Sequence, residues 1–282
     1  MAILSGTPHT VDMRAALTEE LGLDDPLPIQ YGRWLASVVS GDFGGRSLET
    51  REPIRSIIAR QLPVTLLLAS YAVLLSIVIS VPLGILSALR RNRTLDFIIR
   101  LTTLGGLSIP TVWAAHVVIL VLLLVLRWSP PVLYSGVLVD ARNHVQIMAW
   151  PALLLAWEYS SHLVRVIRSR MLDVLGQEYV TAARCRGLSE ARVVVKYALR
   201  NALLPAVSMV GLQFGSLLGG ALVVETIFGL PGLGRGLIQA AIARDHTVIQ
   251  SFAALLVLLY LSVNTVIDVL SMAIDPRISD TM

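Results

Sequence analysis

Five long apolar runs dominate the chain, each near or above the roughly 20 residues that a helix needs to cross a bilayer. They cover residues 62–89, 101–126, 145–164, 202–224 and 250–272. The third run carries Glu158 and the fifth carries Asp268, whereas the other three contain no Asp, Glu, Lys or Arg. This pattern predicts an all-α membrane protein with five spanning helices in the sequence at hand.

Basic residues are unevenly distributed over the segments between these runs. Twelve Lys and Arg residues lie in segments 90–100 and 165–201, against four in the two alternate segments. Loops rich in Lys and Arg stay in the cytoplasm. The asymmetry therefore predicts that both segments and the tail 276–282 are cytoplasmic, and that residues 1–60 form an extracytoplasmic N-terminal segment.

The N-terminal segment poses a problem of export. Residues 1–60 are polar and contain no apolar run long enough to serve as a signal peptide or anchor. We therefore expect a preceding sixth span that this sequence does not contain. The alternative is that the first run alone translocates the N-terminal tail. In either case, residues 61–275 are predicted to form one membrane domain.

The composition argues against a soluble domain and against several kinds of binding site. Hydrophobic residues make up 55% of the chain and charged residues 15%, whereas a soluble domain has about 25% charged residues. A single cysteine, Cys185, and five dispersed histidines form no disulfide or metal-binding pattern. A glycine-rich phosphate loop with its lysine is also absent. We expect no cofactor in this chain, and membrane lipid rather than nucleic acid as the partner of its net charge of +4.

The cytoplasmic segment 172–201 is long and patterned, and it predicts two helices. The first, around 173–186, ends at Gly187, a residue suited to a left-handed turn. Ser189 then offers an N-cap. The second helix has an apolar stripe of Ala191, Val194, Val195, Ala198 and Leu199, and a basic face of Arg192, Lys196 and Arg200. We expect such a helix to lie against something apolar and to show its basic face to water or to an acidic partner. The alternative is a helix on the membrane surface whose arginines only determine the topology.

These residues resemble a known family. Residues 178–188, EYVTAARCRGL, followed by 198–205, ALRNALLP, are similar to the coupling loop of binding-protein-dependent ABC importer permeases, in particular the dipeptide, oligopeptide and nickel branch. The resemblance continues in residues 21–31, 41–44, 225–235 and 244–250, and in Asp268 with 275–277. Two features depart from the family pattern: the first helix is missing, and Thr181 replaces a glutamate.

The resemblance implies the transmembrane domain of a type I ABC importer in a bacterial inner membrane, with a cytoplasmic C-terminus. It implies contact with an ATPase subunit through Glu178, Thr181, Ala182, Ala183, Arg184, Gly187 and Leu188. The implied partners are a second homologous permease subunit, two ATP-binding-cassette ATPase subunits and an extracytoplasmic solute-binding protein. The chain itself is then no enzyme, since ATP is hydrolysed by those separate subunits.

The resemblance favours import of small peptides, with nickel or a metal chelate as the alternative within the family. An ion-coupled secondary transporter would need acids near the bilayer midplane, and three runs have none. A membrane scaffold would not explain the patterned loop. The candidates for the translocation pathway are Glu158, His116 and Asp268. Each also has a structural interpretation: Glu158 marks the end of a span, His116 packs through a hydrogen bond, and Asp268 pairs with an arginine at a helix end.

Overall fold

The computed structural model describes Thr18 and residues 24–131, 134–137 and 139–274. In chain order the helices are α1 (Leu27–Val39), α2 (Ile54–Leu89), α3 (Thr94–Ser108), α4 (Thr111–Leu124), α5 (Ala141–Leu175), α6 (Glu178–Cys185), α7 (Glu190–Arg192), α8 (Arg200–Phe228), α9 (Leu233–Ala243) and α10 (His246–Ile274), with a π-helical segment, Val193–Leu199, between α7 and α8. The described part of the chain is helical, as predicted. The predicted tail, 276–282, lies outside the described residues.

Several helices are long and apolar enough to cross a membrane. Two qualify alone, α2 and residues His246–Ile267 of α10. Two more candidates are bent pairs, α3 with α4 and the two parts of α8 on either side of residue 218. The third predicted span, 145–164, lies inside α5, which is 35 residues long but is not among these apolar candidates. Helix α5 is therefore more polar than the other long helices of the bundle.

The predicted run 101–126 is not one straight helix. Helices α3 and α4 meet at Ile109–Pro110 and differ in direction by 109°. Proline disfavours the α conformation at the residue before it, and Ile109 is extended, with φ −85° and ψ 122°. A Cβ on Gly106 would overlap the Ser161 hydroxyl of α5. The bend is thus made by the proline and lies tightly against α5.

Helix α5 is the centre of the bundle and packs along α2. It begins at Asp140, whose side chain accepts a hydrogen bond from the Asn143 backbone N–H at 3.0 Å. Its buried side chains join those of α2, α4 and α8 in the main apolar cluster. A Cβ on Gly84 of α2 would lie 2.7 Å from Ile167 Cγ2 of α5. Small residues allow such close approach, which stabilises helix pairs in lipid.

The bundle has two distinct ends. Helix α5 runs into α6 at one end, which we call the hairpin end. Helix α8 starts at the hairpin end and leads after 29 residues to the short helix α9 at the opposite end, which we call the α9 end. Helix α2 runs in the reverse direction, from the α9 end to the hairpin end. Functional side chains gather at both ends.

Candidate functional site

The hairpin consists of α6, the turn 186–189, and α7 with the π-helical segment. The predicted first helix, 173–186, is divided: α5 ends at Leu175, and α6 begins at Glu178 after Gly176 and an extended Gln177. The turn at Gly187 is as predicted, with φ +76° in the left-handed region. A Cβ there would meet no atom within 4 Å. Substitution would therefore strain the backbone, by about 1–2 kcal/mol, without a steric clash.

The inner side of the hairpin is a small apolar cluster. Val180 and Ala183 of α6 and Val193 of the π-helical segment are buried against one another. Ala183, which the family resemblance places at the ATPase contact, is only 3% exposed and points into the hairpin. Its small side chain lets the two arms approach. The alanine beside it, Ala182, is exposed.

The outer side of α6 carries most of the other residues expected to contact the ATPase. Leu188 is half-buried. The exposed members of the predicted set are Glu178, Thr181, Ala182, Arg184 and Gly187. These five residues are therefore accessible to a partner protein on the hairpin.

Polar contacts join α6 to the second arm of the hairpin and to α8. Arg184 Nε donates to Glu190 Oε1 at 2.8 Å, and Asn201 Nδ2 donates to the Tyr179 hydroxyl at 2.9 Å. Ser189 occupies the N-cap position, as predicted, but its side chain makes no capping hydrogen bond. Sequence reasoning missed Tyr179 and Asn201 as contacts because they are 22 residues apart and belong to different helices. The first contact joins the two arms, and the second joins α6 to the first turn of α8.

The π-helical segment changes the predicted apolar stripe. Val194 and Ala198 are buried as expected, but Val195 is 63% exposed and Val193 is fully buried. A π-helix bonds residue i to i+5 instead of i+4, so its faces advance differently from those of an α-helix. Ala191 is also exposed. Within the described chain, the predicted apolar stripe is therefore split between buried residues, Val194 and Ala198, and exposed ones, Ala191 and Val195. The predicted basic face is exposed.

A buried ion pair lies behind the hairpin, where α2, α3 and α5 meet. Arg168 of α5 donates from Nε and Nη2 to the two carboxylate oxygens of Asp96, both at 2.8 Å. Ser87 of α2 donates to Asp96 Oδ1 at 2.5 Å, and the Asn92 backbone N–H donates to Oδ2 at 3.0 Å. Asp96 is 1% exposed. Two-point pairing of this kind fixes orientation as well as distance, so α5 and α3 are rigidly joined here.

A second buried carboxylate lies at the α9 end. Glu225 of α8 accepts from the Thr65 hydroxyl of α2 at 2.6 Å and from the Arg235 backbone N–H at 3.1 Å. The Leu233 backbone N–H donates to the same Thr65 oxygen at 2.9 Å. A Cβ on Gly232 would overlap the Glu225 carboxylate. The acid therefore holds the N-terminus of α9, where negative charge is favourable.

The N-terminal segment is attached to the same end. Asp245 accepts from the Ser47 hydroxyl at 2.6 Å and from the Val248 backbone N–H at 3.2 Å, so it caps α10 and binds the segment at once. On the surface nearby, Arg60 donates to both carboxylate oxygens of Glu52, at 2.7 and 2.9 Å. This pairing holds the pKa of Glu52 below its usual value.

The three predicted pathway residues lie in different surroundings. Glu158 is half-buried, and its Oε2 accepts from the Thr111 hydroxyl at 2.7 Å, at the bend between α3 and α4. His116 is exposed on α4, and its Nδ1 lies 2.7 Å from the Val112 carbonyl oxygen. The side chain of Asp268 lies outside the described residues. The structure does not bring His116 and Glu158 together in one site.

Residues 80–280 match the family described as binding-protein-dependent transport system inner membrane component. The chain belongs to this family. It is 39% identical over 269 residues to the oligopeptide transport system permease protein AppB of Bacillus subtilis (strain 168), covering 94% of this chain and 84% of that protein. It is 37% identical over 276 residues to the glutathione transport system permease protein GsiC of Salmonella paratyphi A (strain ATCC 9150 / SARB42), covering 98% and 87%.

Solved structures show the same fold. The MetNI methionine ABC transporter, solved in inward-facing conformations, contains a chain that matches with a TM-score of 0.66 and 21% identity, covering 79% of this chain and 98% of that chain. An amino acid ABC transporter solved with histidines matches with a TM-score of 0.55 and 19% identity, covering 77% and 94%. The predicted all-α fold of a type I ABC importer transmembrane domain is confirmed. As a member of this family, the chain is a multi-pass inner-membrane permease component.

Proposed function

We propose that the chain is the permease subunit of an ATP-driven importer of small peptides and forms half of its translocation pathway. The similarity to its relatives supports this proposal. It extends over nearly the whole of this chain, and the names of those relatives refer to oligopeptide and glutathione transport. The alternative cargo, nickel or a metal chelate, is not favoured by those names. Dependence on a binding protein in this family also argues against an ion-coupled secondary transporter.

The hairpin is the part of the chain that contacts an ATPase subunit. Its exposed surface on α6 presents Glu178, Thr181 and Arg184. Its arms are held together by an apolar inner side and the Arg184–Glu190 contact, and Asn201 joins α6 to α8. Such a short, rigid element can transmit a push from a partner. Helix α5 approaches the hairpin directly from the middle of the bundle and is joined to α3 by the Asp96–Arg168 pair. Closure of the ATPase subunits would thus move α5 and α3 together.

The remaining partners and the orientation follow from the same proposal. A second homologous permease subunit completes the pathway, and two ATPase subunits lie on the cytoplasmic side, where the basic hairpin and the C-terminus are placed by the distribution of Lys and Arg. An extracytoplasmic solute-binding protein delivers the peptide at the α9 end. Glu225 and Asp245 are buried at that end and hold α9 and the N-terminal segment in place.

The experiment uses the complete transporter, purified with its partners and reconstituted into proteoliposomes. ATP is supplied on the side of the membrane where the ATPase subunits lie. Uptake of labelled trialanine and vanadate-sensitive ATP hydrolysis are measured for wild type, Gly187→Leu and Gly41→Leu. The two glycines are matched, since both have positive φ and neither Cβ position has an atom within 4 Å. Only Gly187 lies in the hairpin.

We expect wild type and Gly41→Leu to accumulate trialanine with ATP. Gly187→Leu should insert normally but lose uptake and the stimulation of ATP hydrolysis by substrate. If wild type accumulates nickel ions and no peptide, the cargo assignment is wrong. Equal uptake by the two glycine variants would overturn the assignment of the hairpin.

A further inference from the structure

One face of α5 carries an unusual series of exposed polar residues. Glu158, His162, Arg165 and Ser169 are spaced by four, three and four residues, which places them on one side of the helix. Glu158 is half-buried, and the other three are exposed. We call these four residues the polar stripe. It explains why α5 is not among the helices that are apolar enough to be assigned to a membrane by composition.

The polar stripe is open only toward the hairpin end. Along the same side of α5 toward the α9 end, Pro151, Leu154 and Leu155 are buried. Exposure begins at Glu158 and continues to Ser169. On this side of α5, exposure is therefore confined to the half of the helix nearer the hairpin.

Packing on either side shows which way the stripe faces. Residues Trp157 and Ser161 of α5 lie against the glycines of α3, and Ile167 lies against Gly84 of α2. On the other side, Gln213 of α8 donates from Nε2 to the Tyr159 carbonyl oxygen at 3.1 Å. The stripe thus lies between α3 and α8 and faces away from α2.

Helix α8 adds a second small and polar surface beside the stripe. Ser216, Gly219 and Thr226 are exposed at spacings of three and seven residues. A Cβ on Gly219 would meet no atom within 4 Å, whereas one on the neighbouring Gly220 would lie 3.2 Å from the Tyr159 hydroxyl. Open space therefore lies next to α8 where α8 packs on α5.

The exposed faces of other long helices are different. Leu74 and Val78 on α2, and Val257, Leu261 and Val266 on α10, are exposed and apolar. Such apolar surfaces are typical of helix faces that contact lipid. A charged side chain facing hydrocarbon costs about 2.5–3.5 kcal/mol on insertion scales, so ionisable residues inside membranes face water or protein. Glu158 lies within the predicted span 145–164, and Arg165 directly follows it on the predicted cytoplasmic side. The charge of Glu158 therefore marks a water-accessible wall that continues to Arg165.

The spacing of the two charges matches a short peptide. Seven residues separate Glu158 from Arg165, a rise of about 10.5 Å along a helix. An extended tripeptide is about 10 Å long. Glu158 Oε2 is bonded to Thr111, and Arg165 makes no ion pair within the described residues. Peptides of different sequence share their backbone amides and two charged ends, the terminal ammonium and the terminal carboxylate. The opposite charges of Glu158 and Arg165 match those two ends.

We propose that the polar stripe is a transient site for short peptides, where Glu158 receives the terminal ammonium and Arg165 the terminal carboxylate. This inference rests on the proposed function of peptide import. It assigns the pathway to α5 and α8, and it predicts a preference for two or three residues with free ends. The guanidinium group can bind a carboxylate through two parallel hydrogen bonds.

The test measures access and protection in the complete transporter, reconstituted in lipid nanodiscs without nucleotide. Single substitutions His162→Cys, Ser169→Cys and Ser216→Cys are compared with Val78→Cys and Leu261→Cys on the apolar faces. Cys185 is present in every variant as a constant background. A charged maleimide reports the labelling rate. Added trialanine, or trialanine with an acetylated N-terminus and an amidated C-terminus, reports protection.

We expect the maleimide to label cysteines at positions 162, 169 and 216 at least about tenfold faster than those at the two control positions, because the charged reagent does not enter hydrocarbon. Trialanine should slow labelling of His162→Cys, and the blocked peptide should not. Adding Glu158→Gln or Arg165→Gln should remove the protection, whereas Arg170→Gln, an exposed neighbour outside the stripe, should keep it.

Two results would overturn the proposal. Labelling as slow as at the controls would mean that the polar stripe lies against lipid or the second permease. Equal protection by free and blocked trialanine, or protection that survives both substitutions, would mean that the peptide ends are not recognised there. ATP-driven trialanine uptake by wild type is measured in parallel. Its loss would refute peptide import itself, whereas normal uptake with unlabelled stripe positions would refute only this inference.

Discussion

The two ends of the bundle hold their polar groups in opposite ways. At the α9 end, Glu225 and Asp245 are buried, and each accepts hydrogen bonds from side chains and backbone of other elements. At the hairpin end, the ion pair of Arg184 with Glu190 is exposed, and so is most of the predicted ATPase surface. The two buried carboxylates of the α9 end are thus hydrogen-bonded within the chain, whereas the hairpin leaves its polar surface to a partner.

The Asp96–Arg168 pair is the exception at the hairpin end. It is buried like the carboxylates of the α9 end, but it lies behind the hairpin, between the helices that a partner would move. The comparison therefore separates three functions: a closed end, an exposed contact surface, and a rigid joint that connects this surface to the bundle. Each can be broken separately.

The largest effect is expected at the joint. Arg168→Met leaves the Asp96 carboxylate buried without its counter-charge, which typically costs about 3–5 kcal/mol. We expect the free energy of unfolding in detergent, measured by denaturant titration, to fall by that amount. Arg170→Met, at an exposed neighbouring position, should change it little.

A double substitution sharpens this prediction. Asp96→Leu combined with Arg168→Met removes both charges and should be less destabilising than Arg168→Met alone, because no unpaired charge remains. The assignment of a coupled pair would be contradicted if the double variant lost as much free energy of unfolding as the two single variants together.

An intermediate effect is expected at the α9 end. Gly232→Ala places a methyl group where the Glu225 carboxylate lies, and overpacking of this kind costs about 1–3 kcal/mol. The matched control is Gly219→Ala, since a Cβ there meets open space. We expect a lower melting temperature for Gly232→Ala only, measured by tryptophan fluorescence in detergent. Equal melting temperatures would argue against a tightly packed α9 end.

The smallest effect is expected on the hairpin surface. Arg184→Gln breaks the exposed pair with Glu190, and exposed pairs contribute about 0–1 kcal/mol. Unfolding should therefore be nearly unchanged. Substrate-stimulated ATP hydrolysis by the complete transporter should still decrease, because Arg184 is part of the surface offered to the ATPase. A large loss of stability with unchanged ATP hydrolysis would reverse our interpretation of this residue.

Local patterns predicted much of this architecture. Apolar runs predicted the positions of the long helices, the family resemblance predicted the fold, and the presence of a glycine predicted the left-handed turn at Gly187. The sharp bend at Ile109–Pro110 also has a local cause, since proline restricts the residue before it. Its angle of 109° depends on packing against α5 and has no counterpart in the sequence pattern.

Contacts between distant residues could not be predicted in this way. Asp96 and Arg168 are 72 residues apart, and Thr65 and Glu225 are 160 residues apart, so no periodicity connects them. The α-helical period also failed where the chain forms a π-helix, which exposes Val195. The exposed series on α5 follows a helical period, but the sequence alone does not distinguish an open face from a buried one.

The exposed surface of α6 is the part of the chain that we propose meets an ATPase subunit. The most direct test incorporates the photoreactive residue p-benzoylphenylalanine in place of Thr181 and, as a control, in place of Val78 on the apolar face of α2. We predict that irradiation of the intact transporter attaches an ATPase subunit at position 181 and none at position 78. If the ATPase subunits are present in the purified transporter and position 181 still forms no adduct with them, the account is contradicted.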